Sequence, residues 1–320
     1  MARPGAAALS ITPLFDSSIT GAADASQVEG AIDTAIANIE SLYTNNGNVG
    51  IVFTQASGSF LGESETSDYN MSYSSYVATL TNVSHQEPKN TILSTALANL
   101  SSGNQPGAGG SVLVTSADGR VALRIPGDSG CFNSSGTYIS TCGQAYDGVV
   151  TIASNQSFFY GTTPASGQYS AIATMEHEIN EILGGGGQGS VLNEIADGDS
   201  QYNNDLGVLD LYRYSAPGSA SFTTSGSATS YFSVDGGVTD IVSFNQSSSG
   251  DYADYGASGY VQSAFGTPGL FPAYNTSSPE YAMMESIGYN GVPEPASLAL
   301  IGSGLVGLHL ARRRRARKPR

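Results

Sequence analysis

The chain has 320 residues, 40% hydrophobic and 9% aromatic, with 40 glycines and no tryptophan, so it holds enough apolar material for a core and is not a disordered polypeptide. Its formal net charge is −15, yet Arg312, Arg313, Arg314, Arg315, Arg317, Lys318 and Arg320 crowd the C-terminus and leave only Arg3, Lys89, Arg120, Arg124 and Arg213 against all 27 acidic residues, a body of net charge −22. Such a body repels phosphate, which argues against nucleic acid and against anionic lipid as its partners.

In chain order, residues 1–9 offer Arg3, a short Ala-rich run and no hydrophobic stretch, and are expected to be the remainder of a truncated leader. Apolar residues recur with helical period through residues 26–45 (Val28, Ala31, Ile32, Ala35, Ile36, Ile39, Leu42 and Tyr43), and Ser26 with Glu29 forms a capping-box pattern. A buried strand over 49–54, a Gly/Ser loop, a helix around 73–83 and a short strand over 111–115 follow. Cys131 and Cys142 flank a Gly- and Ser-rich stretch that suits a disulfide across a surface loop in an oxidising compartment; the alternative is two buried thiols. No further Cys or His lies close enough in sequence to complete a four-ligand metal site with them. Asp147-Gly148 turns the chain into a strand over 149–153, and a helix over 168–183 then stops at Gly184-Gly185-Gly186-Gly187. Strands are expected over 209–214, 231–234 and 240–244, with a last helix over 280–287 ending at Gly288.

The helix before the glycine run carries His177-Glu178-Ile179-Asn180-Glu181. Residues four apart share a helix face, so His177 and Glu181 can grip one ion together, while Glu178, about 100° around from His177, stands beside that ion without being a ligand. Two ligands at i and i+4 with a glutamate next to the first is the geometry of the zinc-protease helix, here with glutamate in place of the second histidine.

Val292-Pro293-Glu294-Pro295, an apolar run over 296–311 and the arginine cluster complete the chain. As a helix the run measures about 24 Å, just short of the ~30 Å hydrocarbon core. The order and position of these three features resemble the PEP-CTERM sorting signal. That resemblance implies a Gram-negative bacterium, processing by an exosortase and release to the cell surface or extracellular matrix, with membrane contact only through residues 291–320 before processing.

The body also resembles a family of secreted bacterial metalloproteases related to the metzincins. The segments concerned are Ile11 to Asp16, the His-Glu-x-x-Glu-x-x-Gly helix, Asp210 to Gly218, Tyr231 to Gly237, Phe244-Asn245 and Gly250-Asp251-Tyr252-Ala253-Asp254-Tyr255. It implies an α+β, zincin-like domain over 10–290 with a mixed sheet and an active-site helix. A metzincin would place a third histidine ligand where Gly187 stands, so a downstream acid must serve; of Asp210, Asp205 and Glu194, Asp210 is expected, because it opens a family-like segment. The expected site is then His177, Glu181 and Asp210 as metal ligands with Glu178 as general base. Zinc is the expected ion, with manganese or calcium as rivals for so carboxylate-rich a set. Tyr212 or Tyr214 is the expected donor to an oxyanion, and Arg213 is expected to pair with a carboxylate near the site. The function expected is an exported, surface-sorted metallopeptidase acting on polypeptides; the alternative is a non-catalytic surface or matrix protein whose His-Glu-x-x-Glu helix holds a structural metal or none.

Overall fold

The computed structural model describes residues 8–100, 111–125, 130–140, 142 and 146–292. Strand β1 (Leu9–Phe15) leads through a short helix, α1 (Ser17–Thr20), into the amphipathic helix α2 (Ala25–Glu40) and on to β2 (Gly47–Ala56), which pairs parallel with β1. Next come β3 (Gly62–Thr66), β4 (Asp68–Ser72), the helices α3 (Tyr73–Gln86) and α4 (Thr91–Asn99), and β5 (Ser111–Thr115). A hairpin of β6 (Cys131–Phe132) and β7 (Tyr138–Ile139) precedes β8 (Gly148–Ala153). β8 pairs parallel with β2 and antiparallel with β3, so the principal sheet runs β1-β2-β8-β3 with β3 as its antiparallel edge.

Strand alternation decides what each face of that sheet covers. Val49, Ile51 and Phe53 of β2 and Val150 and Ile152 of β8 enter the main core, which runs from Leu9 to Tyr289. Val52 and Val149 point the other way, into a small cluster with Phe132 of the hairpin that the Cys131–Cys142 disulfide closes. After β8, the short parallel pair β9 (Phe158–Phe159) and β10 (Tyr169–Ser170) delivers the chain into α5 (Ala171–Ile182), which packs against α2, β3 and β8. Its apolar stripe of Ile172, Met175, Ile179 and Ile182 is fully buried.

The remainder is built of short pieces. α6 (Leu192–Ala196) and β11 (Leu206–Gly207) lead to β12 (Arg213–Ala216), β13 (Ser219–Ala220), β14 (Tyr231–Phe232) and β15 (Val242–Ser243), which form their own antiparallel sheet, while β11 joins β5 and β4. Residues 245–278 carry almost no regular structure, and α7 (Pro279–Ser286) then packs on α4. The fold is thus a mixed α+β arrangement of several sheets and helices.

Several local expectations differ from what the chain does, three of them with a visible cause. α2 begins at Ala25, and Ser26 makes no capping box because the preceding turn already supplies partners: Ala22 and Asp24 offer their carbonyls to Ala25, Gln27 and Val28. α2 also stops at Glu40, since the backbone beyond it is taken up by the far end of the chain, with Tyr43 bridging Gly291 and Thr44 N–H donating to the Asn290 carbonyl at 2.8 Å. Residues 208–212 form a tight 3-10 turn instead of a strand, because the Asp210 carboxylate folds back onto the Gly207 N–H at 2.9 Å.

Candidate metal centre

α5 is capped by Ser170, whose hydroxyl accepts from Ala173 N–H at 3.1 Å, and it ends in glycines with left-handed backbone, Gly184, Gly186 and Gly187. The helix places His177 and Glu181 on one face, with His177 Nε2 3.2 Å from Glu181 Oε1. A third group meets them from the irregular segment: Asp254 Oδ2 lies 3.3 Å from the same Nε2. One ligand atom from each of the three residues lies within 4.8 Å of the other two.

The hydrogen bonds around the triad determine what it can hold. His177 Nδ1 sits 2.9 Å from the Val261 carbonyl, which can only accept, so Nδ1 carries a proton and Nε2 is the ring nitrogen that faces the two carboxylates. Glu181 Oε2 accepts from Ser64 Oγ at 2.7 Å, and its buried Oε1 faces His177 Nε2 at 3.2 Å. Asp254 Oδ1 accepts from Gln262 Nε2 at 2.9 Å and from Gly187 N–H at 3.2 Å, leaving Oδ2 to the centre. Three potential ligand atoms therefore converge in a place where only 4% of Glu181 and 2% of Asp254 is exposed. Two buried carboxylates facing a single imidazole leave a crowded anionic place that is costly to bury, and a donor set of one imidazole and two carboxylates fits a divalent cation.

Electrostatics report the same crowding. Burial disfavours the imidazolium of His177, but Asp254 and Glu181 outweigh it and hold the pKa well above its ordinary value. Burial, and then Glu181, raise Glu178 well above the carboxylate range, and burial with Glu181 and Asp254 brings Asp251 up to about 7.

Glu178, one position along from His177, turns toward the edge strand. A side chain on Gly62 would fall 2.5 Å from Glu178 Oε1, so it is the bare glycine that lets the carboxyl lie against β3. Gly187 is needed for a related reason: at φ +33° its Cβ would stand 2.6 Å from the Glu181 carboxyl carbon. The position at which a metzincin would carry a histidine is here the floor beneath the Glu181 carboxylate, and no larger residue fits without displacing it.

Asp210 is not one of the three groups that converge. Its carboxylate accepts from Ser190 Oγ at 2.6 Å, from Val191 N–H at 3.0 Å and from Gly207 N–H at 2.9 Å, so both oxygens hold a turn together. Asp205 is likewise engaged, accepting the Ser111 N–H at 2.7 Å, and Glu194 is absent from the triad. Tyr212 donates its hydroxyl to the Ser286 carbonyl at 2.8 Å within the core, and neither it nor Tyr214 lines the cleft at His177. Arg213 makes no ion pair: it is buried, stacks 4.4 Å over the Phe244 ring and donates to the Tyr252 carbonyl and to Gln246 Oε1.

Asp254 escaped the sequence reading, although it stands in a segment already noted for its resemblance. Nothing in its spacing says that it meets His177. Gln262 and Val261 gave no signal at all, because their roles depend on a loop fold.

The triad and Glu178 line a cleft of about 770 Å³, bounded by β3, α5 and the segment after Asp254. At the C-terminal end of the described residues, Val292 N–H donates to the Leu42 carbonyl at 2.8 Å and Tyr281 donates to the Val292 carbonyl at 3.2 Å. The body is therefore held to the residue before Pro293. Pro293-Glu294-Pro295 and the apolar run over 296–311 lie outside the described residues, and among the described residues no helix is long and apolar enough to cross a membrane. No curated protein and no solved structure matches the chain. Residues 291–315 match the PEP-CTERM protein-sorting motif, which marks the chain as an exported, surface-sorted protein of Gram-negative bacteria that is processed by an exosortase.

Proposed function

We propose that residues 10–290 form a zincin-like domain and that the protein is a metal-dependent peptidase acting on polypeptides at the cell surface or in the extracellular matrix. The observation that carries this reading is the convergence of His177 Nε2 with the buried Glu181 and Asp254 carboxylates, next to Glu178, under the edge of a sheet. His177, Glu181 and Asp254 would hold the ion. Zinc, with manganese or calcium as rivals for this carboxylate-rich set, would supply Lewis acidity toward a peptide carbonyl.

The chain's own residues supply the rest. Val261 fixes the His177 tautomer and Ser64 fixes the Glu181 carboxylate. Glu178 is buried beside the ligands and lines the cleft, where, ionised by a cation bound at the triad, it would take a proton from the attacking water and pass it to the leaving amine. β3 ends the sheet order, so one side of its backbone is free to pair with an extended polypeptide, and Gly62 brings that backbone directly against Glu178.

Glu178→Gln is the test. Peptide hydrolysis is expected to fall by about 10²- to 10⁴-fold, while metal content by mass spectrometry and the circular dichroism spectrum stay as in the parent. Retained hydrolysis would remove Glu178 from the mechanism. No stoichiometric metal in the parent after dialysis, with the same result for Glu181→Ala, would leave a sorted surface protein with a polar helix.

A further inference from the structure

Four large hydrophobic side chains stand exposed among the described residues, and two of them, Phe265 (50% exposed) and Leu270 (41%), line the cleft at His177. Both belong to the irregular segment after Asp254. Phe60, half-buried just ahead of β3, lines the same cleft. At that end the two walls close on each other: a Cβ on Gly266 would fall 2.4 Å from Leu61 Cδ1. Apolar carbon left in water beside a polar centre marks a surface that awaits a partner.

The charged groups of the cleft have a single sign. Apart from His177, every ionisable acid or base of pH 7 relevance that lines it is a carboxylate, and no lysine or arginine does so. Glu63 on β3 and Asp197 are exposed there and belong to no metal triad. Elsewhere among the described residues, Arg120 pairs with Asp147, Arg124 with Glu87, and Arg213 is buried, so none of these three arginines neutralises the cleft.

We propose that the cleft selects polypeptide segments in which a bulky apolar side chain, seated on Phe265 and Leu270, is flanked by lysine or arginine facing Glu63 and Asp197. This rests on reading the cleft as a polypeptide-binding site. Successive side chains of an extended segment point to opposite sides, so an apolar residue and its basic neighbour reach different walls. A surface of one charge sign rewards the opposite charge in both encounter rate and specificity, and acidic segments are rejected by the same field.

The test is equilibrium binding by fluorescence anisotropy, using the full chain carrying Glu178→Gln and labelled peptides in a Ser/Gly background containing lysine with phenylalanine, lysine alone, phenylalanine alone, or glutamate with phenylalanine. The lysine–phenylalanine peptide is expected to bind about tenfold or more tighter than each of the others. Phe265→Ser, and independently Leu270→Ser, should remove the gain due to phenylalanine. Glu63→Gln with Asp197→Asn should remove the gain due to lysine and flatten the salt dependence. Val238→Ser, at an exposed hydrophobic outside the cleft, should change nothing. Equal affinity for all the peptides, or Phe265→Ser and Leu270→Ser variants of parental fold that bind as the parent does, would overturn the proposal. The two readings fail separately: a parent chain that cleaves every peptide at one rate sinks the selectivity and keeps the peptidase, whereas the expected binding order in a chain that cleaves none sinks hydrolysis and keeps the selectivity.

Discussion

α5 carries His177, Glu178 and Glu181 on adjacent faces of one regular helix, whereas residues 245–278 deliver the Val261 carbonyl, Gln262 and Asp254 from backbone with almost no regular structure. In the helix, the i→i−4 hydrogen bonds of the main chain set the spacing, and any sequence that folds as a helix obtains it. In the loop, side chains do the same work. Asn245 Nδ2 donates to the carbonyls of Ser247, Gly250 and Asp251, Asn193 bonds Asp251 and the Tyr252 N–H, and Gln262 is held through its own N–H by Glu280 Oε1 at 3.0 Å. From Gln262 a chain of hydrogen bonds continues inward through Asn180 and Tyr274 to Tyr43, so this loop is tied to α2's end of the core by polar groups as well as by the buried Ala253 and Tyr255. Buried networks of this kind define one arrangement when fully satisfied, and they are vulnerable to the loss of any member.

The sharpest way to break the comparison is to exchange the two aspartates. Asp254→Ala should lower metal affinity by at least the roughly hundredfold that losses behind a ligand can reach, as measured by isothermal titration with zinc. Asp210→Ala should leave that affinity as in the parent. It strands two backbone N–H groups and a hydroxyl in the core, at about 1–3 kcal/mol for each group left unsatisfied, and its loss should appear in thermal unfolding. The reverse pattern would return Asp210 to the site and dissolve the role of the loop.

Gln262→Leu keeps the volume near Asp254 but removes its donor, so metal affinity should fall by about tenfold with little change in helix content. An unchanged affinity would mean that Gly187 N–H alone holds the carboxylate. Ser64→Ala removes one hydrogen bond to Glu181 from the helix side of the site. With the carboxylate already set by the helix, the expected loss is only about fivefold, the value of a bond worth about 1 kcal/mol. If Ser64→Ala costs more than Gln262→Leu in the same titration, the regular half of the site is the more fragile one.

What could be read in advance follows the same division. The apolar periods of α2 and α5, the runs that became β2, β5 and β8, and the cysteine pair announced themselves because each is a local pattern with a buried face or a short span. β3 was expected to be part of a Gly/Ser loop, since Gly62-Glu63-Ser64-Glu65-Thr66 has no apolar alternation; it is a strand because β8 offers it a partner and its side chains stay polar at the sheet's edge. α4 buries only Leu93 and Ala96, too few for a stripe. Asp210 and Asp254 are equally acidic and both lie in noted segments, and composition has no means of telling a turn-forming carboxylate from a ligand.

By itself the sequence determined the sorting motif, which is recognised as a linear address, the spacing of His177, Glu178 and Glu181, which one helix imposes, and the mixed α+β character that follows from short-range periods. Only the tertiary structure decided the third carboxylate, the hydrogen bonds that aim the imidazole, the place of Gly62 and Gly187 against their glutamates and the apolar wall of the cleft. The physical reason is range: a helix repeats within a few residues, whereas contacts between distant segments depend on how the whole chain satisfies its buried polar groups at once.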